Sequence, residues 1–97
     1  MQMRKNQKFI VVAYDIVDDR RRTEVSDLLS RFGTRVNRSV FECFLSDREI
    51  GKVKKSVGEK IKEGEDIVLY YHLCRDCLER IERQGIENEE KSAVKVF

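Results

Sequence analysis

Three segments rich in apolar residues alternate with two amphipathic segments along this chain of 97 residues. The apolar segments are 9–14, 35–45 and 67–73. Their lengths, and the charged residues that bound them, are typical of strands buried on both faces. The amphipathic segments repeat apolar residues every three or four positions, which predicts two helices. The two apolar stripes consist of Val25, Leu28, Leu29 and Phe32, and then of Ile50, Val53, Val57 and Ile61.

Residues at the ends of the amphipathic segments support the helix prediction. Thr23 or a nearby aspartate is suited to cap the start of the first helix, and Gly33 is placed to end it. Ser46 and Glu49 have the spacing of a capping box at the start of the second helix, which Gly64 is placed to close. The predicted order is therefore strand, helix, strand, helix, strand.

The end of the chain is less regular. By periodicity, 78–84 is either a short helix or an edge strand, 86–92 is an acidic loop, and 93–97 has the apolar alternation of a strand. The order suggests an α+β fold of the ferredoxin-like β-α-β-β-α-β type. That match requires 35–45 to be a hairpin or a long bent strand. We favour a variant in which one strand there is followed by a helix and two further strands.

The predicted helices are too few to cover both faces of the sheet. Two helices cover one face, yet 9–14 and 67–73 are apolar at successive positions, so their second face must also be hidden. The simplest cover is a second copy of the chain. We therefore expect a twofold homodimer packed sheet to sheet, in which the terminal strand 93–97 extends the partner's sheet.

Composition limits the function classes. The length fits one domain over 1–97, and 39% of residues are charged although the net charge is only +2. This balance excludes a uniformly basic nucleic-acid-binding surface but permits a local basic patch. No apolar segment is long enough to span a bilayer, so we expect a cytoplasmic protein with no membrane partner. The arginines available for the patch are Arg20, Arg21, Arg22, Arg35 and Arg38.

The cysteines form one C-x-x-C pair, Cys74 and Cys77, with His72 just before it and Cys43 far upstream. A structural zinc site usually needs two such pairs. A thioredoxin-like pair would lie between a strand and a helix, which the charged residues after Cys77 fit poorly. We interpret the pair as reduced, half-buried residues at the end of a strand; a metal or redox role and a Cys74–Cys77 disulfide stay open.

Asp15 is the main candidate for chemistry. It ends the first apolar strand and is followed by acids and then by the arginine run. A carboxylate at a strand end beside guanidinium groups suits a divalent cation next to a phosphate. The alternative is an aspartate that only caps the following turn.

Several motifs occur in one order: Tyr14-Asp15-Ile16-x-Asp18-x-x-Arg21-Arg22, then Leu28-Leu29, Gly33 and Ser39-Val40-Phe41-Glu42. In this order and spacing the chain resembles the CRISPR-associated protein 2 family. The resemblance implies a ferredoxin-like homodimer with exchanged carboxy-terminal strands, and it favours the edge strand over the helix for 78–84. It further implies a protein that acts with the CRISPR integrase in spacer acquisition, with metal-dependent endonuclease activity on single-stranded RNA or double-stranded DNA.

The resemblance also implies roles for individual residues. Asp15 from both subunits would hold Mg²⁺, or Mn²⁺, and serve as the catalytic acid. Arg22 matches a family position as a candidate phosphate ligand, and Arg35 aligns more loosely. Apart from the resemblance, we expect Arg20, Arg21 and Arg38 to contact the nucleic-acid backbone as well. Supporting roles fall to Tyr14, Asp18 and Phe41, although we favour core packing for the phenylalanine. The alternatives are a non-catalytic scaffold that positions DNA for integration and a stand-alone toxin-type endoribonuclease of related fold.

Overall fold

A computed structural model describes residues 6–85 as a four-stranded antiparallel sheet with three helices. The strand order is β2-β3-β1-β4, which completes the ferredoxin-like β-α-β-β-α-β unit and confirms the predicted fold class. The elements are β1 (Lys8–Asp15), α1 (Asp19–Ser30), β2 (Gly33–Asn37), β3 (Val40–Leu45), α2 (Asp47–Lys60), β4 (Ile67–Leu73) and α3 (Arg75–Glu79). Within this part of the chain no helix has the length and apolar character needed to cross a membrane.

The segment 35–45 is a hairpin, so the single-strand variant that we favoured is wrong. Asn37 pairs with Val40, and the chain reverses through Arg38 and Ser39. The Asn37 side chain accepts a 2.6 Å hydrogen bond from the Arg38 backbone N–H. Such a local bond from an asparagine stabilises a tight turn, which explains why polar residues interrupt this apolar segment.

The helix starts were predicted better than the helix ends. Asp18 caps α1, and Ser46 with Glu49 forms the capping box of α2. However, α1 ends at Ser30 and α2 at Lys60, before the glycines that we expected to close them. Gly33 instead begins β2, and Gly64 adopts a φ of +91° in the turn before β4.

The predicted edge strand over 78–84 is also wrong. Residues Arg75–Glu79 form the short helix α3, and 81–84 contain no regular element. The Leu78 N–H donates to the Cys74 carbonyl at 3.0 Å, which is a helical bond and cannot belong to a sheet ladder. The loop expected at 86–92 and the strand expected at 93–97 lie outside the described residues.

The main core lies between one face of the sheet and the helices α1 and α2. Alternate side chains of β1 point into it, and Phe41 of β3 is fully buried there. Burial of each large apolar side chain contributes about 1.5–3 kcal/mol, so this layer fixes the register of β1. The core also contains Ile10, Val12, Tyr14, Val25, Leu29, Val53 and Val57.

The opposite side of the sheet, which we call the open face, remains apolar and partly uncovered. On β4 it carries Ile67, Leu69 and Tyr71, which are 52%, 42% and 51% exposed. These residues pair with Asp15, Ala13 and Val11 of β1, and paired residues share a face of the sheet.

The far end of the open face is covered. Phe9 is fully buried there and lies 5.0 Å from the Phe44 ring, although it is not part of the core beneath the helices. Arg83 reaches across to the buried Glu42 and makes two 2.7 Å bonds to its carboxylate. The segment that follows β4 therefore covers the open face at the end remote from Asp15.

Candidate nucleic-acid and metal site

One end of the sheet assembles most of the residues selected from the sequence. Asp15 ends β1 there, opposite Ile67, which begins β4. The turn between β2 and β3 lies beside it, because the Tyr14 N–H donates to the Ser39 carbonyl at 3.0 Å. Helix α1 starts four residues after Asp15, at Asp19. We call this region the Asp15 end.

Asp15 is exposed at the edge of the open face. Among residues 6–85 its carboxylate makes no ion pair, and no group of three or more histidine, cysteine or acidic side chains is arranged to hold a metal. A divalent cation of the magnesium class takes oxygen ligands from carboxylates, water and substrate phosphate. The chemistry of Asp15 fits such an ion, but one chain offers a single carboxylate and the fit needs more oxygen donors.

Tyr14 and Phe41 point away from Asp15, into the core beneath the helices. Their rings are stacked with centroids 6.3 Å apart, and both are at least 95% buried. The Tyr14 hydroxyl donates to the Arg38 carbonyl at 3.4 Å. These aromatic residues therefore position the turn that carries Arg38, and neither ring lines a cleft.

Arg21 is engaged within the protein. Its Nε donates to Asp66 Oδ2 at 2.8 Å, and its Nη2 contacts both Asp66 and Glu65. The side chain of Asp66 has no exposed surface, although the residue as a whole is partly exposed, and it also accepts the backbone N–H groups of Val17, at 3.2 Å, and Lys62, at 2.8 Å. The hydrogen bond from Arg21 lowers the pKa of Asp66 to about 2, and the two backbone N–H groups act in the same direction. Desolvation of the carboxylate opposes this shift.

This arrangement makes Arg21 an anchor of the loop after Asp15. The carboxylate of Asp66 joins that loop, helix α1 and the turn before β4 in one set of bonds. The sequence reasoning assigned Arg21 to nucleic acid and did not select Asp66. The sequence does contain one signal for this pair. Asp66 directly precedes β4, and β1, which pairs with β4, leads into the arginine run.

The remaining acids of the loop have local partners. Asp18 accepts the Arg21 N–H at 2.9 Å as the cap of α1, so one of its two carboxylate oxygens is already engaged. Asp19 pairs with Arg22, whose Nη1 also donates to the Ile16 carbonyl at 2.8 Å. Arg22 therefore holds the same loop while its guanidinium stays 43% exposed.

The other three arginines differ in the contacts that their guanidinium groups make within the protein. Arg35 lies over the Phe41 ring at 5.6 Å and donates to the Ser26 hydroxyl, so it packs against the helix side of the sheet. Arg20 is 88% exposed and makes a 3.5 Å ion pair with Glu24. Arg38 is exposed in the turn beside Asp15. Arg20 and Arg38 thus offer the most accessible positive charge at the Asp15 end.

The cysteine pair departs from our interpretation. Cys74 lies between β4 and α3, and both Cys74 and Cys77 are exposed, whereas we expected half-buried residues of a strand end. Cys43 is buried, and burial with the neighbouring Glu42 raises the pKa of its thiol to about 12.

Comparison with known proteins identifies the family of this chain. The sequence model of the family described as CRISPR associated protein Cas2 matches residues 8–81. The chain belongs to the Cas2 family. This match includes every element of the sheet, and it confirms the resemblance drawn from the motifs.

Curated and solved Cas2 proteins are similar over most of their length. The CRISPR-associated endoribonuclease Cas2 3 of Synechocystis sp. is 40% identical over 75 residues, which cover 77% of this chain and 82% of that protein. The crystal structure of Streptococcus pyogenes Cas2 superposes with a TM-score of 0.72 at 29% identity, covering 79% of this chain and 99% of that one.

A more distant structure shares the Cas2 fold. A chain of a partial Cas6-RT-Cas1–Cas2 complex superposes with a TM-score of 0.67 at 23% identity, covering 78% of this chain and 83% of that chain. At this identity the likeness concerns the fold alone.

Proposed function

We propose that this Cas2-family protein is a homodimeric, metal-dependent endonuclease of CRISPR adaptation. The observation that carries the proposal is the position of Asp15. Its exposed carboxylate has no ion-pair partner in the described chain and lies at the edge of an apolar sheet face. The name of the Synechocystis relative, an endoribonuclease, supports nuclease chemistry for the family.

A second copy of the chain is the proposed cover of the open face. Ile67, Leu69 and Tyr71 are large apolar residues side by side on one strand, and each is exposed by two fifths or more. Adjacent exposed apolar side chains of this kind mark an interface. A twofold axis through such a face makes the contact self-complementary. Because Asp15 lies on the same face, its two copies belong to one interface.

Two Asp15 carboxylates would hold Mg²⁺, or Mn²⁺, where one does not suffice. A bound divalent ion supplies positive charge to a scissile phosphodiester and increases the acidity of a coordinated water. The protein's own contribution is to hold the carboxylates on a rigid strand end, which the Asp66 anchor and the Tyr14 contact secure. Within residues 6–85 no other unpaired acid lies at this end to act as a base.

Nucleic acid would approach from the Asp15 end. The exposed guanidinium groups of Arg20 and Arg38 are free to contact phosphates, and the half-exposed Arg22 adds a third. We leave Arg21 and Arg35 outside the proposed contact set because their guanidinium groups are bound within the protein. Single-stranded RNA and double-stranded DNA are both compatible substrates.

The proposed partner in the cell is the CRISPR integrase, to which the dimer would present its ends. Membership of the Cas2 family supports this assignment. A purely architectural role is the second candidate. It is favoured by the single carboxylate that each chain contributes, since a scaffold needs the basic residues of the Asp15 end but no metal.

The test is cleavage of labelled single-stranded RNA and duplex DNA with Mg²⁺, Mn²⁺ or EDTA. Wild type is compared with Asp15→Asn and with Asp19→Asn, a matched loss of an exposed acid four residues away. We expect metal-dependent cutting that falls more than about 100-fold in Asp15→Asn and persists in Asp19→Asn. Equal cutting by all three proteins, or none by any, would reject the nuclease and leave the scaffold.

The scaffold is then tested separately, by spacer integration with the integrase present. Under the nuclease proposal Asp15→Asn alters the products of integration. Under the scaffold alternative Asp15→Asn integrates normally, while the double variant Arg20→Ala/Arg38→Ala is impaired. The two roles therefore differ in which substitution matters.

A further inference from the structure

Two thiols meet at the junction between β4 and α3. Cys74 directly follows β4, and Cys77 lies in the short helix that begins after it. Their Sγ atoms are 3.4 Å apart, and both residues are exposed. A disulfide joins sulfur atoms about 2 Å apart. These two exposed sulfurs therefore need only a short further approach to reach bonding distance.

We propose that Cys74 and Cys77 form a redox-active dithiol, which low-molecular-weight disulfides such as oxidised glutathione convert reversibly to an intramolecular disulfide. This modification site is independent of the Asp15 chemistry, because the pair lies at the opposite end of β4 from Ile67, the partner of Asp15.

The geometry distinguishes the two sulfurs. The Cys77 backbone N–H donates to Cys74 Sγ at 3.4 Å, and the Cys77 thiol lies within hydrogen-bonding distance of the same atom. Bonds to a sulfur stabilise its thiolate, and the thiolate is the nucleophile of thiol chemistry. In agreement, the Cys77 backbone bond and then the Cys77 thiol lower the pKa of Cys74. Cys74 is therefore the attacking thiol and Cys77 the resolving one.

The reaction is a balanced thiol–disulfide exchange. The Cys74 thiolate attacks one sulfur of the small disulfide, forms a mixed disulfide with it and expels the other half as a thiolate. Cys77 then loses its proton to solvent and attacks Cys74 Sγ, which closes the intramolecular bond and releases the second small thiolate. The protein dithiol gives up two electrons, and the small disulfide is reduced to two thiols.

The third cysteine cannot take part. Cys43 is fully buried in β3, and its raised pKa keeps it protonated. It therefore serves as an internal reference, since it is alkylated only after denaturation and does not change with redox state.

The new disulfide would also constrain the segment after β4 that covers part of the open face. Helix α3 begins the segment that continues to Arg83, whose guanidinium binds Glu42 on that face. Oxidation fixes the first turn of this segment to the end of β4.

The experiment equilibrates the full chain in mixtures of reduced and oxidised glutathione with EDTA present, quenches with acid and alkylates under denaturing conditions. Mass spectrometry then counts the alkylated thiols. We expect three per chain under reducing conditions and one under oxidising conditions, with a two-electron dependence on the glutathione ratio and no covalent dimer. Three alkylated thiols at every ratio, or loss of thiols only into intermolecular disulfides, would overturn the proposal.

Single variants test the order of the steps. Cys77→Ser should trap one glutathione on Cys74, because the resolving thiol is missing. Cys74→Ser should take up glutathione more slowly, because the stabilised thiolate is missing. Equal trapping rates would overturn the assignment of the attacking thiol. The wild-type titration needs no variant, so the dithiol itself remains testable if a variant fails to fold.

Discussion

The carboxylate of Asp66 and the guanidinium of Arg21 join the turn before β4 to the first turn of α1, with Nε and Oδ2 2.8 Å apart. The carboxylate of Asp66 is shielded from solvent and uses both oxygens, since it also accepts the backbone N–H groups of Val17 and Lys62. This pair holds the loop that follows Asp15. Loss of this pair should therefore lower the stability of the protein and disturb the proposed site at Asp15.

Stability should fall at low pH because of Asp66. The folded-state pKa of about 2 lies below the ordinary value of 3.8, so the ionised form is favoured in the folded state. The resulting stabilisation is complete above about pH 5, well above the unfolded-state pKa, and is lost progressively as the pH falls through about 2. Urea unfolding of wild type between pH 7 and pH 2 measures this loss.

The matched variants for this pH series are Asp66→Asn and Glu65→Gln. Asp66→Asn should unfold several degrees lower at pH 7 and show a flatter acid limb. Glu65→Gln should change little, because Glu65 is nearly half exposed and its contacts are screened by water. An acid limb that is unchanged in Asp66→Asn would contradict the assignment.

The pair formed by Glu42 and Arg83 should be asymmetric in its response to substitution. Arg83→Ala leaves a buried carboxylate without its partner, which should lower the free energy of unfolding by about 2–3 kcal/mol. Glu42→Gln should cost less, because Arg83 is 28% exposed and can be hydrated. Chemical denaturation of both variants and of the double variant measures the coupling. A larger loss in Glu42→Gln than in Arg83→Ala would disprove the asymmetry.

Glycines in β2 and α2 should respond in opposite directions to alanine. A methyl group at Gly33 would collide with the Cys43 Sγ and the Glu42 carbonyl of β3, whereas one at Gly51 meets no atom within 4 Å. We expect Gly33→Ala to destabilise the protein by about 1–3 kcal/mol. Gly51→Ala should stabilise α2 by about 0.5–1 kcal/mol, because alanine favours the helix. Thermal unfolding of the two variants checks both signs.

Much of this fold could be predicted from local pattern. The apolar run of β1, the capping aspartate of α1 and the capping box of α2 are each visible within a few residues of sequence. The β2–β3 hairpin was considered but not favoured, because its turn interrupts the apolar alternation by only two residues. The Arg21–Asp66 pair was missed because it joins positions 45 residues apart, and no local period reports such a contact.

The candidate site was predicted only in part, because some of its contacts also join residues far apart in the sequence. Asp15 is marked by its place at a strand end, and the residue is exposed there. The arginine run was read as one basic patch, yet the fold divides it. Arg20 faces solvent, while Arg21 and Arg22 hold the loop. Which arginine is bound within the protein depends partly on residues far away in the sequence, as Asp66 is from Arg21.

The proposed dimer should break when charge is placed on the open face. Leu69→Arg introduces a guanidinium into each copy of a self-complementary interface, which should weaken association more than about 100-fold. Gly58→Arg is the control, because it adds the same group in open space on α2, across the sheet. Sedimentation at micromolar concentration should show dimers for wild type and Gly58→Arg and monomers for Leu69→Arg. A monomeric wild type would contradict the proposed interface.

The most direct measurement is the stoichiometry of Mn²⁺ binding, followed by electron paramagnetic resonance for wild type, Asp15→Asn and Leu69→Arg. A site shared by two Asp15 carboxylates predicts one tightly bound ion per two wild-type chains. It also predicts that binding is lost when either the carboxylate or the dimer is removed. One ion per chain, or unchanged binding in Asp15→Asn, would contradict the shared site.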